Sequence, residues 1–348
     1  MSLAAASSPL QPLTLAQAMA AYLDVVRLAR SHNTARTYAQ ALRAFQESLR
    51  QRDIDPDTTP LVALDEAWLT HFARDLKDLA PATEQLYLTA TRGFYAFVAA
   101  NWRPELNMER IKFMLRQHSR RPGPRLPQFP YQAIEQVLTY AQSLKQVAER
   151  EEDPRARLRL LRDRAFLLTL ADTGLRVHEA CGLRRGDIDW ESARALVVGK
   201  GNRQDVVRFS PRALDALQDY LRARALLDGS SGRPLAALPV FARHDKRAGK
   251  RVLPISTVTG RDIVRQRVQE ALGPEAAGTI TPHSFRHYFV TRVLKGSGGN
   301  LKLAQVLARH RNIQVTQRYA HLSDDELDRA YAAIFRAGGD APADEGRG

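Results

Sequence analysis

The 348 residues include a single cysteine, Cys181. One thiol excludes an intrachain disulfide and a thiol-rich metal site, and Cys181 is expected to pack as a small apolar residue. No stretch approaches the roughly 18 consecutive apolar residues that a membrane-spanning helix needs. The N-terminus lacks a charged segment followed by an apolar core, so secretion is not expected and a cytoplasmic location is. None of the nine histidines falls in a zinc-type spacing beside acidic neighbours. Metal-free chemistry is the expectation.

Negative charge is also in short supply. Against 52 Lys and Arg stand 38 Asp and Glu, a formal charge of +14. Residues 1–118 carry 13 basic and 12 acidic side chains, whereas residues 119–348 carry 39 and 26, so the second part holds almost all of the surplus. Such a surface suits a polyanion, and DNA is the commonest one available to a cytoplasmic protein. The length exceeds one typical core, and two domains are expected.

Hydrophobic periodicity divides the chain. Residues 1–12 are small, polar and Pro-containing and read as a disordered leader. Thr14 to Gln17 has the form of a capping box ahead of Leu15, Met19, Tyr22 and Val26, which predicts a helix to about Arg30. A second helix is predicted from Asn33 with Tyr38, Leu42 and Phe45 on one face, a third over Ala67–Leu79 and a fourth over Ala82–Ala100. Together these make a helical domain over 13–118. Proline, glycine and three arginines (Arg120, Arg121, Arg125) mark residues 119–127 as an exposed linker able to touch phosphates.

The second domain is placed at 128–337, with a disordered tail at 338–348. A helix from Tyr131 to about Arg150 is followed by dense mixed charge at 149–158, read as a solvated helix extension or surface loop. Short apolar runs around Ile188, Ala195–Val198 and Asp205–Phe209 predict a small antiparallel sheet, with Gly199–Arg203 as a turn. A helix is predicted from Pro211 to Leu227. The loop from Gly229 to Arg251 carries Arg243, Lys246, Arg247, Lys250 and Arg251, and a helix over Thr257–Ala271 carries Arg261, Arg265 and Arg267. Both suit contacts to a nucleic-acid backbone, which raise affinity without reading sequence. Acidic residues 324–326 would cap a last helix through Leu327 and Phe335.

One stretch carries chemistry. In Thr281-Pro282-His283-Ser284-Phe285-Arg286-His287, Pro282 would open a helix and set His283 and Arg286 on its first-turn face, i and i+3. A forked, permanently charged guanidinium beside a proton-carrying imidazole suits a phosphate. His310 follows, then Tyr319 nine residues later.

The order H-x-x-R, a second His and a Tyr resembles the C-terminal box of the tyrosine recombinase (phage integrase) family. Thr173-Gly174-Leu175-Arg176 resembles that family's first box, Lys200 falls where its β-hairpin lysine does, and the helices of 13–118 resemble its core-binding domain. The resemblance covers residues 14–335. It implies a mainly α protein with a small antiparallel sheet, made of a helical DNA-binding domain and a catalytic domain. It implies further that Arg176, Lys200, His283, Arg286, His310 and Tyr319 are catalytic, with Glu179 holding Arg176 through a buried ion pair. Tyr319 would attack a DNA phosphodiester to give a 3′-phosphotyrosyl bond, His283 would take its proton and Lys200 would protonate the leaving 5′-oxygen. The partners implied are double-stranded DNA and, in the synaptic complex, a homotetramer, with a related recombinase or accessory protein as a possible addition. The sequence resembles the two-domain members without a separate arm-binding domain, and the last helix would pack on its own domain or on a neighbouring subunit. Two departures adjoin active positions: Phe285 replaces the usual Leu, and Arg309 stands where Gly often precedes the second His. Strand relaxation of the type IB topoisomerase kind and a catalytically silent DNA-binding accessory factor are the alternative functions.

Overall fold

The computed structural model describes residues 13–120, 130–199, 204–310 and 312–317. They are mainly helical with one three-stranded antiparallel sheet. Residues up to 120 and residues from 130 onward belong to two compact units, each with its own core. The expected leader, most of the expected linker, the last helix and the tail lie outside the described residues.

In the first unit, Thr14 caps α1 (Leu15–Ala29) by the reciprocal bonds its spacing predicts: the Gln17 N–H donates to the Thr14 hydroxyl, and the Thr14 N–H to the Gln17 side chain. Ser31 caps α2 (His32–Arg50), whose Leu42, Phe45 and Leu49 are buried. The third helix is shorter than its apolar pattern suggests. It runs as α3 (Ala67–Asp75) and tightens into a 3-10 turn over Leu76–Asp78. Pro81 opens α4 (Pro81–Asn101). A fifth helix, α5 (Met108–His118), capped by Asn107, was not expected. Only Ile111 and Leu115 of α5 are buried, so its periodic signal is weak. Phe45 meets Phe72 edge to face at 5.2 Å, and the buried Tyr95 hydroxyl donates to the Asp65 carbonyl at 2.7 Å.

Arg120, expected in the exposed linker, has partners within this unit. Its Nε donates to the fully buried Glu84 carboxylate at 2.6 Å and its backbone N–H to the same group at 2.9 Å, while Lys77 binds Glu84 at 2.8 Å. A buried carboxylate needs such partners, and Arg120 is one of them, with its side chain 39% exposed. Arg121 and Arg125 lie outside the described residues.

The second unit is built around α7 (Pro154–Thr173), buried on nearly every side from Leu161 to Thr173. It packs against α6 (Tyr131–Arg150), α9 (Pro211–Ala223) and α12 (Pro282–Gly296). Between α6 and α7 the charged stretch is a short connection ending at Asp153, whose carboxylate caps α7. Residues 154–158 are therefore the start of α7 and not a loop. Strands β1 (Ile188–Asp189), β2 (Arg194–Val198) and β3 (Gln204–Arg208) pair in sequence order, with Leu196 opposite Val206 and Val198 opposite Gln204. After the short α10 (Ala225–Gly229), helix α11 (Thr257–Leu272) presents Arg261 and Arg265 to solvent, but Arg267 is buried, bound to Asp163 at 2.7 Å and Glu270 at 2.6 Å. It packs the helix onto α7 and is unavailable to a groove. Cys181 is buried in this core, as its solitary occurrence suggests.

Candidate active site

The site assembles where the C-terminus of α7 meets the N-terminus of α12. Helix α7 ends at Gly174, whose φ of 61° is left-handed, and a Cβ there would come within 2.5 Å of the Phe289 ring. Glycine alone meets both conditions, and the sharp stop delivers Arg176 to the N-cap of α8 (Val177–Gly182). The Arg176 N–H donates to Glu179 Oε2 at 2.8 Å and its Nη1 to Oε1 at 2.8 Å. The Glu179 side chain is 1% exposed and that of Arg176 44%, so the carboxylate is the buried anchor and the guanidinium reaches outward. The ion pair expected between them is present.

Pro282 occupies the first position of α12, and His283 and Arg286 share its first turn as the spacing predicts. Arg286 is 4% exposed; Nη1 donates to the Gly174 carbonyl at 2.5 Å and Nη2 to the Ala308 carbonyl. It thus ties α7 and α13 (Leu301–Ala308) to α12. Burial, then Arg176 and Arg309, pull its pKa down to about 9. His283 packs edge to face on His287 with ring centroids 4.2 Å apart. Burial, then Arg286 and Arg176, hold His283 below the ordinary histidine value.

His310 follows the left-handed residue Arg309 that ends α13, and its Nδ1 lies 2.9 Å from the Thr316 hydroxyl on α14 (Ile313–Gln317). Burial, then Arg286 and Arg176, lower His310 to about 4, so the ring is neutral at pH 7. The contact fits either tautomer; in the one whose Nδ1 accepts from the hydroxyl, the proton sits on Nε2, where it is a donor for an anion. Thr316, 0% exposed, was not singled out in the sequence. It does its work through a contact six residues away, in a stretch with no strong periodic signal.

The fold therefore brings Arg176, Glu179, His283, Arg286 and His310 to one place, joined by Arg309. Lys200, in the connection between β2 and β3, and Tyr319, two residues past α14, lie outside the described residues. Away from the site, Lys246, Arg247, Lys250 and Arg251 are exposed, and Arg243 pairs with Asp245 at 2.8 Å.

A family model described as the phage integrase family matches residues 138–326, and one described as phage integrase, N-terminal SAM-like domain matches residues 19–101. The chain belongs to the phage integrase family of tyrosine recombinases. Similar relatives include the tyrosine recombinase XerC of Halalkalibacterium halodurans, 30% identical over 90% of this chain and 96% of that one. XerC of Mycobacterium leprae is 31% identical over 87% and 92%. Among solved structures, XerH site-specific recombinase bound to palindromic difH substrate, a post-cleavage complex, is similar with a TM-score of 0.66 at 19% identity, over 93% of this chain and 85% of that one. The Tn1549 transposon integrase in complex with transposon right end DNA gives 0.61 at 21% identity, over 94% and 100%. The mainly α recombinase fold with its small antiparallel sheet is the one expected. Each of the two family matches lies within one of the two units.

Proposed function

We propose that this tyrosine recombinase cuts and rejoins double-stranded DNA at specific sites through a 3′-phosphotyrosyl intermediate on Tyr319, without metal or high-energy cofactor. One observation carries the reading: three guanidinium groups, Arg176, Arg286 and Arg309, gather around a single carboxylate, Glu179, and the imidazoles of His283 and His310 lie beside Arg176 and Arg286. Such a cluster is unfavourable alone and complementary to a phosphodiester. XerH bound to palindromic difH substrate and the Tn1549 integrase bound to transposon right end DNA support DNA as the partner here.

In this scheme the Tyr319 oxygen attacks phosphorus as the bond to the 5′-oxygen breaks. The phenolic proton passes to His283 and Lys200 supplies one to the departing 5′-oxygen. Arg176 and Arg286 stabilise charge on the non-bridging oxygens, and His310 Nε2–H donates to one of them. Because the phosphotyrosyl ester retains the energy of the bond broken, attack by a 5′-hydroxyl reseals the strand. Exposed Lys246, Arg247, Lys250, Arg251, Arg261 and Arg265 supply backbone contacts in this reading. Four subunits on two sites would complete an exchange.

Retention of DNA by denatured protein, in the presence of chelator and with fragments of the source genome, tests the proposal. Discrete protein-linked 3′ ends are expected. Scattered ends would favour relaxation, and tight binding with no linked ends would favour a silent accessory factor.

Two consequences concern the imidazoles. A base must be unprotonated, and His283 is held below the usual value near 6.5. The second-order cleavage rate at sub-saturating DNA, which reports the free enzyme, should show an acid limb centred below pH 6.5. An acid limb centred at or above 6.5 would remove His283 from this role. Thr316→Val keeps the shape and deletes the hydroxyl that, as donor to Nδ1 in this scheme, leaves the His310 proton on Nε2. Single-turnover cleavage should slow about 5- to 10-fold, the equivalent of one hydrogen bond of ~1 kcal/mol, with DNA affinity unchanged.

A further inference from the structure

Arg309 stands at a position that the backbone would assign to glycine. Its φ of 57° and ψ of 44° are left-handed, a conformation that costs a non-glycine residue on the order of 1 kcal/mol. The side chain is 5% exposed. Its Nη2 donates to Glu179 Oε2 at 2.9 Å and lies 3.5 Å from the Gly174 carbonyl, while Nε and Nη1 are buried with no hydrogen-bond partner among the described residues. A strained backbone and two unpaired buried donors are both unfavourable. Something at this position offsets them.

Glu179 is the group that Arg309 reaches. One carboxylate oxygen, Oε1, receives Arg176 Nη1; the other, Oε2, receives both the Arg176 N–H and Arg309. With Arg309 bound to the oxygen that also accepts the Arg176 N–H, the carboxylate is held against turning away from Arg176. Burial alone would raise the Glu179 pKa, but Arg309 and Arg176 outweigh it and keep the group ionised. Because Nε and Nη1 are shut off from solvent, Arg309 does not itself face a phosphate.

We infer that Arg309 is a positioning residue of this active site, clamping Glu179 so that Arg176 presents its guanidinium to the scissile phosphate in one orientation. The inference rests on the catalytic reading proposed above. It assigns the Arg-for-Gly departure a function: the residue before the second histidine adds a third guanidinium that acts through a carboxylate 130 positions away in sequence.

Arg309→Gly is the informative variant, because glycine adopts this backbone without strain and the fold should be kept or slightly stabilised. With wild-type protein cleaving a trapped substrate, Arg309→Gly should lower the single-turnover rate about 10-fold at saturating DNA. Its Kd and the dependence of binding on salt should stay unchanged, since no phosphate contact is lost. Arg309→Lys, which offers one point charge to Glu179, should recover part of the rate. Carbon-13 NMR of the Glu179 carboxyl supplies an arm that needs no catalysis: its pKa should rise in Arg309→Gly. Unchanged cleavage in Arg309→Gly, or an unmoved Glu179 titration, overturns the inference and leaves the catalytic reading intact. A salt slope reduced by about one would overturn it in favour of direct phosphate contact. Absence of cleavage by wild-type protein would overturn the catalytic reading, and this role with it.

Discussion

Arg286→Ala is expected to lower the rate of DNA cleavage on the order of a thousandfold while weakening DNA binding by less than about tenfold. The split follows from where the charge is used. Arg286 is 4% exposed and fixed by two carbonyls, Gly174 and Ala308, so its orientation is set before any substrate arrives. A preorganised cation favours the extra negative charge of a pentacoordinate phosphorus over the ground-state diester, and ground-state affinity is spread over many surface contacts. Single-turnover rates at saturating DNA, set beside equilibrium binding, separate the two. Equal losses in both would make Arg286 a binding residue only.

The same substitution should cost little stability. It leaves the Gly174 and Ala308 carbonyls without their donor, which is unfavourable. It also removes a buried cation that burial and the neighbouring Arg176 and Arg309 already push down to about 9, which is favourable. These oppose each other, and a melting temperature within a few degrees of the wild type is expected. Arg286→Lys should fold as well but remain slow, because one ammonium does not span two carbonyls in the geometry of a guanidinium fork.

How far the sequence foretold this arrangement differs from residue to residue. Gly174 and Arg176 were legible through the resemblance of Thr173-Gly174-Leu175-Arg176 to the family's first box, and Pro282, His283 and Arg286 because their positions follow from local rules, a proline at the first helical position and i, i+3 spacing. Capping at Thr14 was legible for the same reason. The fates of individual arginines were not. Arg120 and Arg267 looked free for phosphate, and each is bound by a buried carboxylate, Glu84 at a separation of 36 residues and Asp163 at 104. Such pairings are decided by packing. Helix α5 escaped notice because it buries only two apolar side chains, and the link from Arg309 to Glu179 because nothing local to either residue announces it.

The second large effect concerns Tyr319. Nothing else in the proposed scheme supplies the nucleophile, so Tyr319→Phe should abolish covalent attachment while retaining the Arg, His and Lys groups that bind and polarise the phosphate. The loss should exceed that of any other single substitution, because a removed nucleophile has no substitute whereas a removed donor leaves its neighbours in place. DNA affinity should fall by no more than about fivefold, since a phenolic hydroxyl contributes about one hydrogen bond, ~1 kcal/mol, at most. The most direct measurement joins wild-type and Tyr319→Phe protein to the same nicked target fragment, denatures both, and maps the peptide that carries DNA. A 3′-phosphoryl adduct on Tyr319, absent from the variant, is the predicted result. An adduct on another residue, or one that persists in Tyr319→Phe, would contradict the account.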